Sequence, residues 1–367
     1  MSKILIKIGI KSKNALKERL NSKIKNKVLE DYLKLIKQNK NKLIIENKKD
    51  IKAAERKKLK ENFIKRLSLN YQKINSIIKS IKTISKFKDP VDFELDRWKR
   101  PNGLEIKKVT IPFGVIGVIY ESRPNVTADV STLCFKSGNS VILRGGTEAY
   151  FSNKMLANLF RKALQKNKIN KNFVQFIDNK NRKLVDFMLS KMANYIDLII
   201  PRGGKNLVKK VQNLSSVPVI GHLEGICHTY LDKDINLKMA KKIVVNAKLR
   251  NTSICGATET LLIHKKNSKF ISDILNELTK NGCVIYADRK IKKLYKGKSK
   301  IANAKVWSTE FLSAKISVKL VNNINEAINH INKYGTMHTD AIISKNKFSA
   351  KYFIKNVKSS IAIHNSS

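Results

Sequence analysis

Proline is scarce in this 367-residue chain, with six residues, and neither proline nor glycine occurs between positions 13 and 87. Nothing in that stretch fixes φ or removes a backbone donor, so long helices are free to form. Cysteine is scarce too. Cys134, Cys227, Cys255 and Cys283 are scattered, with no Cys-x-x-Cys pair. That spacing argues against a zinc site or a disulfide framework, and it suits a reducing compartment. No apolar run approaches the roughly 18 residues of a membrane span. Lysines break every short apolar stretch of the opening MSKILIKIGIKSKN, unlike the apolar centre of a signal peptide. These absences lead us to expect a cytoplasmic chain with no membrane association and no resident metal.

Acidic residues are also few, 28 against 75 basic ones, which leaves a net charge of +47. Such a balance invites a nucleic-acid reading. The distribution argues otherwise. Lysine outnumbers arginine 63 to 12 and is spread over nearly every surface segment, thinning out between Val109 and Asn153. Asn and Ile are abundant as well, as an AT-rich coding sequence would give. Lysine supplies phosphate attraction, whereas base edges are read mostly by arginine in a defined motif. No zinc finger, recognition helix or aromatic-basic motif is present, so no specific nucleic-acid partner is expected.

Residues 13–87 carry apolar side chains at helical spacing, as in Ile74, Ile77, Ile78, Ile81 and Ile84, and read as a helical scaffold. Arg100-Pro-Asn-Gly103 is a turn signal whose flanks, 93–98 and 104–111, can pair as a hairpin. From Pro112 onward, strand and helix patterns alternate. Strands are expected at 115–120, 140–143, 174–177, 196–200 and 217–220. Helices are expected from Pro124 to about 137, over 147–166 and 181–192, and after Gly204. That alternation predicts an α/β fold with a doubly wound parallel sheet, in which ligands sit at the carboxyl ends of strands.

Three of those ends carry chemistry-bearing residues: Glu121-Ser-Arg-Pro-Asn125, Arg144-Gly-Gly-Thr147 and Pro201-Arg-Gly-Gly204. A glycine turn opening a helix, with an arginine beside it, can hold a phosphate. The same glycines serve tight strand-to-helix turns for backbone reasons alone. Neither turn matches GxGxxG or the Walker pattern. Cys255 lies in Asn251-Thr-Ser-Ile-Cys255-Gly-Ala, between a helix at Leu237–Lys248 and an apolar strand. A thiol held between two elements can be a nucleophile or a small buried hydrophobe, and spacing leaves both open.

Longer motifs add a resemblance. Ile111-Pro-Phe-Gly-Val-Ile-Gly-Val-Ile-Tyr-Glu-Ser-Arg-Pro-Asn-Val-Thr127 resembles the signature of the gamma-glutamyl phosphate reductases, also called glutamate-5-semialdehyde dehydrogenases, in the aldehyde dehydrogenase superfamily. So do Cys134-Phe-Lys-Ser-Gly-Asn-Ser-Val-Ile-Leu-Arg-Gly-Gly-Thr-Glu-Ala149, Ile200-Pro-Arg-Gly-Gly204, Val244-Val-Asn-Ala-Lys248 and Tyr334-Gly-Thr-Met-His-Thr-Asp-Ala-Ile342. The likeness implies an aldehyde dehydrogenase-like fold, with an NADPH-binding domain over 1–220 and an oligomerisation flap at 93–111. It implies a catalytic domain over 221–350, and residues 351–367 returning towards the first domain.

The implied reaction is NADPH-dependent reduction of L-glutamyl 5-phosphate to L-glutamate 5-semialdehyde and phosphate, in proline biosynthesis. By the same resemblance, Cys255 is the nucleophile and Asn125 its oxyanion donor. Arg144, Gly145, Gly146, Arg202, Gly203 and Gly204 hold the NADPH/NADP cofactor, and Glu310 positions the nicotinamide ribose. As a residue in its own right, Glu310 could equally be a solvated loop acid. A homodimer and coupling to glutamate 5-kinase are the implied partners. Related hydrolytic enzymes carry a base before the nucleophile. Here Gly221 falls at that position, with Glu224 close by. The chain stops at Ile363-His-Asn-Ser-Ser367, where family members continue into a Gly-rich segment. The alternative expectation is therefore an inactive or split remnant.

Overall fold

The computed structural model describes residues 2–59 and 61–367. Met1 and Lys60, which fall in the stretches read above as a charged N-terminus and a helical scaffold, lie outside them. The chain divides into two compact units between Leu223 and Glu224, against an expected division after residue 220.

The first unit opens with α1 (Ser2–Ala15), α2 (Ser22–Gln38), α3 (Lys40–Arg56), α4 (Glu61–Leu67) and α5 (Tyr71–Ser85). Asn21 and Asn70 cap α2 and α5, their side chains accepting from the Ile24 and Lys73 amides. The isoleucine stripe of α5 faces inward, with Ile74, Ile77, Ile81 and Ile84 buried. An antiparallel hairpin follows, β1 (Glu94–Lys99) and β2 (Glu105–Val109), closed by the Arg100–Gly103 turn. Gly103 takes φ +85, a left-handed conformation that favours glycine. Every residue of β1 is exposed.

Then come β3 (Val115–Tyr120), α6 (Pro124–Lys136), β4 (Ser140–Gly145), α7 (Tyr150–Lys166), β5 (Val174–Phe176), α8 (Lys183–Lys191), β6 (Leu198–Arg202) and α9 (Lys205–Leu214). The sheet is parallel, in the order β5-β4-β3-β6. Strand β3 faces a core on each side. Ile116, Val118 and Tyr120 join the cluster beneath α2, α6 and α7, and Val115 and Ile119 join the other. That is the period-two alternation of a strand buried on both faces. The expected strand at 217–220 reduces to a single bridge between Ile199 and Val219. Pro218 brings no amide to a ladder, and Ile220 is exposed. Strand β6 lies two residues later than expected, so Pro201 and Arg202 end the strand instead of forming the turn.

The second unit holds β7 (Cys227–Leu231), α10 (Leu237–Leu249), β8 (Thr258–His264), α11 (Ile271–Lys280), β9 (Val284–Ala287), α12 (Arg289–Leu294), β10 (Ser299–Ile301), α13 (Ala304–Trp307), β11 (Lys315–Val321), α14 (Ile324–Tyr334), β12 (Thr339–Ile343), α15 (Lys347–Asn356) and β13 (Ile361–His364). All strands run parallel in the order β10-β9-β11-β8-β7-β12-β13. Strand β8 again alternates, with Leu261 and Ile263 in one core and Leu262 in the other. Residues 351–367, read above as returning towards the first domain, group with this unit. There β13 extends the sheet, pairing Thr339 with Ile361.

Candidate active site

In a parallel sheet all strands enter from one side, so the loops preceding β7, β8, β11 and β12 gather at the amino edge of the second unit. Cys255 sits there, partly buried, in the turn between α10 and β8. Its carbonyl is tightly confined. A Cβ on Gly225 would stand 1.9 Å from the Cys255 oxygen, so only glycine fits. The Cys227 thiol donates to the same carbonyl at 3.1 Å. A ring nitrogen of His338 lies within 4.8 Å of the Cys255 sulfur, and His338 Nδ1 is 2.8 Å from Thr339 Oγ1. The loop carrying His338 is tied to β7's approach by the Ile226 amide, which donates to Thr336 Oγ1 at 2.9 Å.

The other cysteines are poor nucleophiles. Burial pushes the Cys134 thiol up to about 12 and the Cys283 thiol up to about 11. Burial raises Cys227 further, with Asp340 reinforcing it. A thiol so raised stays protonated and serves as a donor or as packing. His228, in the same sequence segment, is buried and bound to Asp340 through both its amide and Nδ1, at 2.7 and 3.0 Å. Glu310 is no free loop acid, because its Oε1 accepts the Gly225 amide at 2.9 Å. Gly225, Cys227 and His338 are functional neighbours that sequence reasoning did not single out. Their only advance signal was membership of the 225–228 and 334–342 segments. Gly221 offers no carboxylate, and it packs against Pro201 in the first unit.

In the first unit the strand order reverses about β3. The next strand in sequence, β4, lies on one side and β6 on the other, which makes a switch point at their carboxyl ends. All three chemistry-bearing segments reach that edge. A cavity of about 430 Å³ opens there, lined by Tyr120, Glu121, Arg144, Gly145, Gly146, Thr147, Glu148, Arg182 and Lys210 among others. Arg144 is buried and does not present the free bidentate fork expected of it. Its guanidinium donates to the carbonyls of Gly145 and Lys180. Its Nε is buried with no partner among the described residues. Burial lowers its pKa, with Glu148 opposing.

The Pro201-Arg-Gly-Gly204 turn also differs from expectation. The N-terminus of α9, read as a phosphate seat, already holds a carboxylate, since Glu121 Oε2 accepts the Gly204 amide at 2.9 Å. Arg202, Gly203 and Gly204 are exposed and stand beside the cavity, outside its lining among the described residues. Asn125, also exposed, lies in the first turn of α6, and its amide donates to Asp129 at 3.1 Å.

Comparison with known proteins places these features. Residues 14–284 match the model of the aldehyde dehydrogenase family. The chain is 44% identical over 301 residues to gamma-glutamyl phosphate reductase of Brucella suis, an alignment covering 82% of this chain and 71% of that protein. The crystal structure of gamma-glutamyl phosphate reductase from Thermotoga maritima superposes with a TM-score of 0.95 at 36% identity, covering 99% of this chain and 88% of that one. An engineered glycolyl-CoA reductase with bound NADP+ shares the fold alone, at a TM-score of 0.69 and 16% identity, covering 98% of this chain and 86% of the other.

Proposed function

The chain belongs to the aldehyde dehydrogenase family and, within it, to the gamma-glutamyl phosphate reductases, oxidoreductases of proline biosynthesis; from that premise we propose that it reduces L-glutamyl 5-phosphate to L-glutamate 5-semialdehyde through a thioester on Cys255. The observation that carries this reading is the confinement of the Cys255 turn by Gly225, Cys227 and the Glu310 carboxylate. A nucleophile gains most from a fixed position, because a well-oriented attack avoids most of the entropy of a bimolecular step. The Cys255 thiolate attacks the acyl carbonyl, and phosphate departs with the electron pair of the cleaved C–O bond. Asn125 and the Cys255 amide donate to the oxyanion. NADPH, held by the first unit, would supply the hydride that reduces the thioester. Cys255 would then leave the hemithioacetal as thiolate, releasing the aldehyde.

The first unit's cavity fits a phosphorylated dinucleotide. Arg182 and the unpartnered Arg144 Nε face it for phosphate oxygens, with Glu121 and Glu148 also in the lining and Lys210 held by Asp186 at 2.6 Å. Arg144, Gly145 and Gly146 line it, while Arg202, Gly203 and Gly204 flank it. A phosphate seated on the Gly204 amide requires Glu121 to leave. Glu310 is the carboxylate that would hold the nicotinamide ribose. The substrate is an acyl phosphate, so the step that supplies it is a kinase acting on the glutamate side-chain carboxylate, glutamate 5-kinase. The exposed β1–β2 hairpin supports a homodimer. Among the described residues no helix is long and apolar enough to cross a membrane, and we place the reaction in the cytoplasm.

The test runs the reaction backwards, with purified chain, NADP, glutamate 5-semialdehyde and phosphate, following NADPH absorbance. Turnover is expected, with complete loss in Cys255→Ala and near-normal rates in Cys134→Ala and Cys283→Ala. Equal losses in all three variants would remove Cys255 from its role.

A further inference from the structure

Lys248 lies in the last turn of α10, and Glu259 is the second residue of β8. Their side chains form an ion pair of 2.6 Å at 0% and 1% exposure. Replacing so dry a pair by apolar side chains is often neutral for a fold, so stability alone explains it poorly. What the pair touches is more informative. Glu259 Oε1 accepts the Leu312 amide at 3.3 Å. Lys248 Nζ stands 5.9 Å from the centre of the Phe311 ring, which stacks on Tyr286 at 5.3 Å. Leu312 takes φ +49, a left-handed conformation that a branched residue keeps only when its surroundings impose it. The residue just before this anchored pair is Glu310, bonded to the Gly225 amide, and Gly225 abuts the Cys255 carbonyl.

We propose that the Lys248–Glu259 pair is a positioning device, holding the Phe311–Leu312 backbone so that the Glu310 carboxylate stays tied to the turn of the nucleophile. The inference rests on the reading of Glu310 as the ribose-binding carboxylate. At 0% and 1% exposure the pair is closed off from solvent and acts through its neighbours. Its effect runs from the Leu312 amide, held by Glu259, through the neighbouring Glu310 carboxylate to the Gly225 amide, all within the second unit. Its burial follows from this role, because a solvated carboxylate would exchange the Leu312 amide for water.

The test compares two double variants that leave no unpaired buried charge. Lys248→Met with Glu259→Met removes the acceptor for the Leu312 amide. Lys248→Met with Glu259→Gln keeps a carbonyl acceptor there. In the first, hydrogen exchange of peptides covering Gly225 and Leu312 is expected to accelerate at least about tenfold, and the KM for NADPH to rise about tenfold. The glutamine variant should return exchange and KM to within about threefold of the unsubstituted chain, an order of recovery matching a restored oriented contact. Unchanged exchange at Gly225 in the methionine variant overturns the proposal. So does a glutamine variant as impaired as the methionine one, or faster exchange with an unmoved KM. If the unsubstituted chain shows no NADPH-dependent reduction, the functional reading fails, and the exchange comparison still decides the positioning role.

Discussion

Gly225 is the residue on which the site depends most sharply. A methyl group there would sit 1.9 Å from the Cys255 oxygen and 2.6 Å from its carbonyl carbon, both backbone atoms that belong to the nucleophile's own turn. Gly225→Ala is therefore expected to lower kcat about a hundredfold, the scale of a 1 Å misplacement. The dissociation constant for NADPH, read by quenching of protein fluorescence, should move less than about threefold. Cys227→Ala removes one thiol donor and should cost less than about tenfold, since a weak neutral hydrogen bond contributes about 1 kcal/mol. A Gly225→Ala protein with normal kcat would show that the turn relaxes freely. The resemblance singled out Cys255 and Glu310, whereas spacing alone left Cys255 as a nucleophile or a buried hydrophobe and Glu310 as a solvated acid. Glu259 was not legible, since a charged residue in a strand ordinarily reads as solvent-facing. Only the fold shows it paired with Lys248 in the dark of the core.

At the scale of elements, the buried face of α14 meets β7 through two histidines. The rings of His228 and His330 lie 5.6 Å apart, and neither His330 nitrogen has a hydrogen-bond partner among the described residues. Burial first, then His228, Lys319 and Lys333, hold His330 down to about 3. The unfolded chain takes up that proton near pH 6.5. Above that value both states are neutral and the site adds no pH dependence. Below it the unfolded state binds a proton that the folded state refuses. Stability is therefore lost between about pH 6.5 and 3, at no more than roughly 1.4 kcal/mol per pH unit. Urea midpoints at pH 7, 5 and 4 should fall more steeply for the native chain than for His330→Phe, and parallel curves would remove His330 from the account. Periodicity found most elements of the first unit, β3 to the residue, because continuous apolar runs and glycine turns are local signals. It missed α1, whose buried face is Leu5, Gly9, Ser12 and Ala15. Glycine and serine carry no hydrophobic signal, and Gly9 is buried only because Tyr195 packs where its side chain would be.

For the whole molecule, the β1–β2 hairpin is the clearest unfinished surface. Leu95 and Trp98 stand 55% and 42% exposed, with Ile111 and Phe113 just beyond at 76% and 67%. An isolated two-stranded ribbon is marginal in water, so apolar side chains of this size call for a covering surface. Sedimentation over a range of concentrations should move from the 41.8 kDa chain mass towards twice that value. Trp98→Asp should hold the chain at the lower mass. A native chain that stays at its monomer mass at every concentration would rule out the homodimer. The parallel sheet of the second unit has a consequence in time. Strand β7 pairs with β12 through His228 and Asp340, 112 positions further on. At a synthesis rate of roughly 5–20 residues per second, β7 leaves the ribosome about 6–22 seconds before its partner exists. Over that interval one flank of a strand bound for the interior has no neighbour and His228 has no carboxylate. That interval, set by strand order alone, is when a chaperone would find this chain most exposed.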